Sequence, residues 1–142
     1  PFGFLGEHVR SKQSVALGAD TAELENRAWQ ATATFVLTGE KASYDGVSPK
    51  KPLTARGTGL GALELALRYG DLRIDDRAFP IFADSTVSAR RARAWGAGFN
   101  WYLNANAKLV LDYELTRFTE GGPLGADRED EKAFFFRLQL AS

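Results

Sequence analysis

Lys108-Leu109-Val110-Leu111-Asp112-Tyr113-Glu114-Leu115-Thr116 alternates without a break. Leu109, Leu111, Tyr113 and Leu115 fall on one parity, and Val110, Asp112, Glu114 and Thr116 on the other. A period of two sends successive side chains to opposite faces of a β-strand. The pattern recurs upstream. Trp29, Ala31, Ala33, Phe35 and Leu37 oppose Gln30, Thr32 and Thr34, and Leu63, Leu65, Leu67 and Tyr69 oppose Glu64, Ala66 and Arg68. One face is continuously apolar with aromatics near its ends, and the other carries charge, amide and hydroxyl. Two architectures use such a strand. In a sandwich the apolar face is covered by a second sheet. In an outer-membrane barrel it meets lipid while the polar face meets a water-filled lumen.

Working outward, the chain predicts six strands, all antiparallel: about 2–14, 27–38, 58–74, 88–103, 107–118 and 132–141. In the first, Phe2, Phe4 and His8 share a face opposite Leu5, Glu7, Val9 and Ser11. The polar stretch Ala19–Asn26 reads as a loop. Gly39–Gly57, with Ser48-Pro49-Lys50-Lys51-Pro52, lacks the donors and the pattern of a central strand. Asn104-Ala105-Asn106 reads as a tight turn, because Asn tolerates left-handed positions. Asp75–Thr86 and the acidic, Gly-rich Thr119–Glu131 read as longer loops. In a barrel the short turn marks the periplasmic side, which puts 75–86 and 119–131 outside and 39–57 in the periplasm.

The 142 residues suffice for one domain with 18 Lys+Arg against 18 Asp+Glu, so no net field points to nucleic acid. Zero Cys excludes a disulfide framework and a thiolate metal site. No apolar run is long enough for a transmembrane helix, which does not bear on strands. The chain starts at Pro1 without Met or a signal-peptide pattern and is read as processed or as a piece of a longer protein. Neutral net charge and a mean hydropathy of -0.26 suit both architectures.

The aromatics favour the barrel. Trp95 and Trp101 share a face six residues apart, roughly 20 Å along a strand. Two aromatic girdles flank an apolar band of about 25 Å. Trp29 and Phe35 repeat the spacing, and Tyr69 and Tyr113 are near strand ends, so these six residues are the expected girdle. On the polar parity, Arg68, Arg90, Lys108 and Arg137 are the candidate pore-lining cations, beside Glu64, Asp112, Glu114 and Asn100. Fixed positive charge is what an anion pathway needs, and the planar guanidinium suits phosphate. A mutually neutralising wall is the alternative, with Glu64 and Arg68 close enough to link along one strand. Arg91 and Arg93 have lipid-side parity just beyond Trp95. These two read as partners of lipopolysaccharide phosphates, and the cluster Arg90-Arg91-Arg93 equally reads as an electrostatic funnel at the outer mouth or as a solvated strand end.

Phe35-Val36-Leu37-Thr38-Gly39-Glu40, then Gly61-Ala62-Leu63-Glu64-Leu65-Ala66-Leu67-Arg68-Tyr69, then Gly98-Phe99-Asn100-Trp101-Tyr102-Leu103-Asn104 leading into Lys108–Tyr113, in this order and spacing, resemble the C-terminal part of the phosphate-selective porin O and P family. The resemblance runs from about Phe4 to Leu140. It implies a trimeric bacterial outer-membrane barrel of about sixteen strands, conducting anions such as phosphate or polyphosphate by passive diffusion. This chain would supply the last six strands, with the selective constriction mostly upstream. Family barrels usually end in an aromatic residue, whereas Ser142 stands here on the lipid-side parity. Six strands leave two open edges, so the expected partners are lipid and lipopolysaccharide, further strands on another chain or segment or copies of this chain, and small anions.

Catalysis finds little support. His8 is the sole histidine, and Ser11 and Ser14 lack a positioned acid or an oxyanion loop. Gly57-Thr58-Gly59-Leu60-Gly61 precedes a strand and reads as a strand start with little bulk rather than a phosphate loop. Asp127-Arg128-Glu129-Asp130-Glu131 lacks the spacing of a calcium loop and reads as a charged surface. No cofactor is expected. The competing reading is a soluble or surface all-β binding module whose apolar face packs on a partner sheet.

Overall fold

A computed structural model describes residues 1–43, 45–54 and 56–141. Six antiparallel strands form one sheet in chain order: β1 Phe2–Leu17, β2 Asp20–Val36, β3 Ala62–Arg73, β4 Ala89–Tyr102, β5 Ala107–Glu120 and β6 Glu131–Leu140. Helical structure among the described residues is limited to two single 3-10 turns, Asp76–Ala78 and Pro123–Gly125. The terminal position Ser142 lies outside the described residues.

The register keeps parity intact across the sheet. Phe35 faces Leu65, Leu65 faces Phe99, Phe99 faces Leu111, and Leu111 faces Phe136. One continuous apolar face results. It has no second layer among the described residues, so Leu67 is 64% exposed and Phe134 69%.

Two boundaries differ from expectation for identifiable reasons. Ala19–Asn26 is not a loop. β1 and β2 run on to the closing pair Leu17↔Asp20, and Gly18, at φ 62°, opens a two-residue turn that side-chain-bearing residues rarely enter. Polar composition suggested a loop there. Beyond the apolar band, however, both faces of a strand are polar, and Leu24 still alternates with Glu23 and Glu25. β3 starts at Ala62 rather than near Thr58. Gly59 and Gly61 have φ of 83° and 77°, outside the extended region, and a Cβ on Gly61 would stand 2.3 Å from the Tyr102 carbonyl oxygen. These glycines therefore serve a close backbone approach immediately before the strand.

The buried apolar cluster lies on the polar side of the sheet. Val36, Ala62 and Tyr102 share polar-face parity, and Val47 of the 37–61 link packs on them, with Ala42 alongside. The link thus folds back over the inner face. Leu53 N–H donates to the Leu103 carbonyl at 2.7 Å and Gly61 N–H to that of Lys51 at 2.9 Å. Buried Glu40 anchors it by accepting from the Thr38 hydroxyl and, at 3.1 Å, from the Lys50 N–H. At the opposite end, Asp75 ties the 74–88 loop to β2: its carboxylate accepts from Glu25 N–H at 2.7 Å, and its own N–H donates to Asn26 Oδ1 at 3.0 Å. Arg77, with the Glu25 and Arg77 backbone N–H groups, holds the Asp75 carboxyl well below the usual range.

The boundary between apolar and charged residues on the outer face drifts across the register. The first outward charge is Arg10 on β1, Arg27 on β2, Asp71 on β3, Arg93 on β4, Arg117 on β5 and Lys132 on β6. Arg10 faces Arg27, whereas Asp71 faces Trp29 and Lys132 faces Leu115. A level belt must drift in this way when strands tilt. A fall of about four residues over five strand steps corresponds to roughly 30° of tilt, from the rise and spacing of a sheet. Transmembrane barrel strands tilt comparably.

Two outcomes test this arrangement. Gly61→Ala should lower stability by at least about 2 kcal/mol through strain and the carbonyl clash, read as a lower denaturation midpoint of the assembled protein. Burial alone raises the Glu40 carboxyl, but the Thr38 and Lys50 hydrogen bonds and the Lys50 charge bring it below the ordinary value of 4.5. Because the folded value is depressed, its stabilisation is complete above pH 4.5 and is lost as pH falls through the lower folded value. Amide exchange across residues 37–53, corrected for intrinsic rates, should accelerate in that acid window and not near neutrality.

Candidate pore wall

The polar face is wired across strands. Arg68 on β3 is opposite Gly96, which is opposite Glu114 on β5. With no side chain at Gly96, where a Cβ would meet Arg68 Cβ at 3.4 Å and Nε at 3.5 Å, the guanidinium crosses β4 and pairs with Glu114. Arg68 therefore reaches two strands sideways instead of linking to Glu64 along its own strand. Gly98 plays a similar part for Asp112, whose Oδ1 would be 2.3 Å from a Cβ at that position.

Glu64, Asn100 and Lys108 gather around Tyr102. Glu64 is only 5% exposed and accepts from Asn100 Nδ2 and from the Tyr102 hydroxyl, each at 3.0 Å. Lys108 Nζ donates to the Tyr102 oxygen at 3.3 Å and stands 4.6 Å from the ring centroid. Tyr102 is the residue that sequence reading missed. Its hydroxyl joins the carboxylate to the ammonium, and its ring closes the link's apolar cluster. Its polar-face parity beside the tight turn was the available signal. Arg137 is exposed opposite Val110 and, among the described residues, makes no ion pair. Arg90 lies at the far end, at the irregularity between Ala89 and Arg91. It pairs with Asp76 at 2.8 Å and Glu120 at 2.9 Å and stacks 4.5 Å over Phe79, pinning two loops together.

On the outer face Trp29, Tyr69 and Trp95 form a run of touching rings, with centroids 5.2 Å and 4.3 Å apart. Tyr113, expected near a strand end, instead lies at the middle of β5, two residues further down the register and opposite Ala97 and Phe134. Toward the other end, Phe35 stacks on Phe2 at 4.6 Å, and Trp101 Nε1 donates to the Leu60 carbonyl at 2.7 Å. His8 faces Trp29 on this outer surface. In the acidic loop, Asp127 accepts from Glu120 N–H at 2.8 Å, Arg117 pairs with Asp130 at 3.2 Å, and Arg128 stacks on Phe118.

An uncovered apolar face ringed by aromatics, backed by a charged inner face, defines a section of a transmembrane β-barrel wall. The chain belongs to the phosphate-selective porin O and P family, whose model matches residues 10–141. It is a porin segment of the bacterial outer membrane. It is similar to Porin O of Pseudomonas aeruginosa, at 27% identity over 150 aligned positions covering 98% of this chain and 32% of that protein. The chain therefore spans about a third of the length of the curated relative it matches.

Tyr102→Phe should leave nearly buried Glu64 with one donor fewer. The expected loss is about 1.5–3 kcal/mol, the range for a hydrogen bond to a charged group, measured as a lower unfolding midpoint in detergent.

Proposed function

We propose that this chain forms one side of a water-filled, anion-conducting pore within a larger barrel of about sixteen strands, assembled as a homotrimer, through which small anions such as phosphate diffuse passively. The observation that carries the reading is the inner face itself: Arg68, Lys108 and Arg137 are presented from β3, β5 and β6 on the side away from the apolar belt, and Arg137 has no carboxylate partner among the described residues. The family and the relative's name support anions and phosphate as the solute. Glu64, Asp112 and Glu114 offset these three cations in number and Asn100 shares the wall. This section is therefore close to neutral overall, with Arg137 as its positive charge unpaired among the described residues and the main anion preference supplied by strands elsewhere. β1 and β6 each pair on one side only, and bilayer hydrocarbon tolerates no open edge, so further strands must close the ring. In this orientation the Asn104–Asn106 turn and the folded-back link face the periplasm. The 74–88 and 121–130 loops face outward together with the two-residue β1–β2 turn, so it is the two loops and not turn length alone that mark the outer end.

The test is the reversal potential of the assembled protein in a planar bilayer under a salt gradient. Anion selectivity is expected. Glu114→Gln should release Arg68 and raise the anion-to-cation permeability ratio about twofold, and Arg137→Ser should lower it by a similar factor, since each changes one pore charge. Cation selectivity of the parent, or no response to either change, would overturn the reading.

A further inference from the structure

Four arginines lie side by side in one register row of the outer face: Arg10 faces Arg27, Arg27 faces Arg73, and Arg73 faces Arg91. A fifth and sixth, Arg93 and Arg117, face each other in the adjoining row. Like charges directly opposite destabilise a sheet, so such a row calls for anions. The chain supplies too few. Glu25 serves Arg10 at 3.3 Å and Arg27 at 2.7 Å, and also Lys12 at 3.4 Å. Asp71, only 3% exposed, holds Arg73 at 3.0 Å and also Arg91. Asp130 meets Arg117, and among the described residues Arg93 has no carboxylate within salt-bridge distance.

The placement is specific. The arginines sit immediately beyond the Trp29–Tyr69–Trp95 run, on the lipid side of the wall, at the end where the 74–88 and 121–130 loops emerge. Asp71 and Glu25 act as hubs that fan guanidiniums sideways, leaving the side chains of Arg27 60% and Arg73 61% exposed. The row of four spans roughly 14 Å, three strand spacings. Planar guanidiniums bind phosphate oxygens in pairs.

We propose that this outward arginine row is a binding site for the phosphorylated disaccharide headgroup of outer-leaflet lipopolysaccharide, with the acyl chains laid on the apolar face below. The proposal rests on the barrel orientation given above and deepens it by naming the lipid partner. Two headgroup phosphates offset the excess charge along the row, and the aromatic run fixes the depth at which the headgroup sits.

The test uses the assembled protein, delipidated in detergent and titrated with lipid A, with lipid A stripped of its phosphates, and with phosphatidylglycerol, read by native mass spectrometry. Lipid A is expected to bind at least tenfold more tightly than either control. The triple variant R27S/R73S/R93S leaves Glu25 its Arg10 and Lys12 and leaves Asp71 its Arg91, so no buried carboxylate is orphaned. It should bind lipid A at least tenfold more weakly while keeping parent conductance and anion selectivity. Equal lipid A binding by parent and triple variant, or equal binding of dephosphorylated lipid A by the parent, would overturn the site. Phosphatidylglycerol binding as tight as lipid A would overturn the assignment to the outer leaflet. Loss of selectivity in the parent bears on the pore reading alone, so the two failures are distinguishable.

Discussion

A peptide N–H or C=O left without a partner in hydrocarbon costs several kcal/mol, and this sets the terms for every other feature of the chain. Within the bilayer the backbone has only its neighbouring strands to bond to, so the ladder from β1 to β6 runs with a single irregularity, between Ala89 and Arg91, at the loop-bearing end. Once the backbone is fixed in this way, side-chain parity decides which environment each residue meets. Leucine and phenylalanine on one parity face acyl chains. Their neighbours on the other parity lie on the inner side, where arginine, glutamate, asparagine and tyrosine bond to one another across strands. The usual placement of apolar residues is thereby turned outward, and the small buried cluster lies on the inner side instead.

Glycine determines the wiring of that inner side. A pore wall with a side chain at every polar-face position of β4 would keep the charges of β3 and β5 apart. Gly96 and Gly98 remove that barrier, so Arg68 reaches Glu114, and Asp112 leans over the neighbouring strand. The wall's charge pattern is therefore set by small residues as much as by ionic ones. Arg68 is committed to a partner, Lys108 is tethered to Tyr102, and Arg137 stands free of carboxylates among the described residues.

The strand count and the alternation of faces were legible in the sequence because a period of two is written residue by residue. Pairing partners were not, because register is a relation between distant segments. Glu64 and Arg68 are close in sequence and on one face, yet the ion pair spans 46 residues, from Arg68 to Glu114. The tight β1–β2 hairpin was hidden because polar residues on both faces of an emergent strand look like a loop. The inward fold of the 37–61 link was hidden because its apolar residues, Val47 among them, are scattered without strand or helix periodicity in a stretch rich in Pro, Lys and Ser. The four-arginine row appeared as scattered arginines until the register aligned Arg10, Arg27, Arg73 and Arg91.

The packing of Val47 on Val36, Ala62 and Tyr102 has a consequence for how the molecule responds to temperature. Leucines on the outer face exchange one hydrocarbon contact for another and owe little to water. The inner cluster is held by expelling water, and that driving force weakens on cooling. The wall thus joins two thermodynamic regimes back to back along the same strands. On cooling, the outer face keeps its contacts while the force that holds the 37–61 link against the inner face weakens, so the two sides of one sheet answer temperature differently.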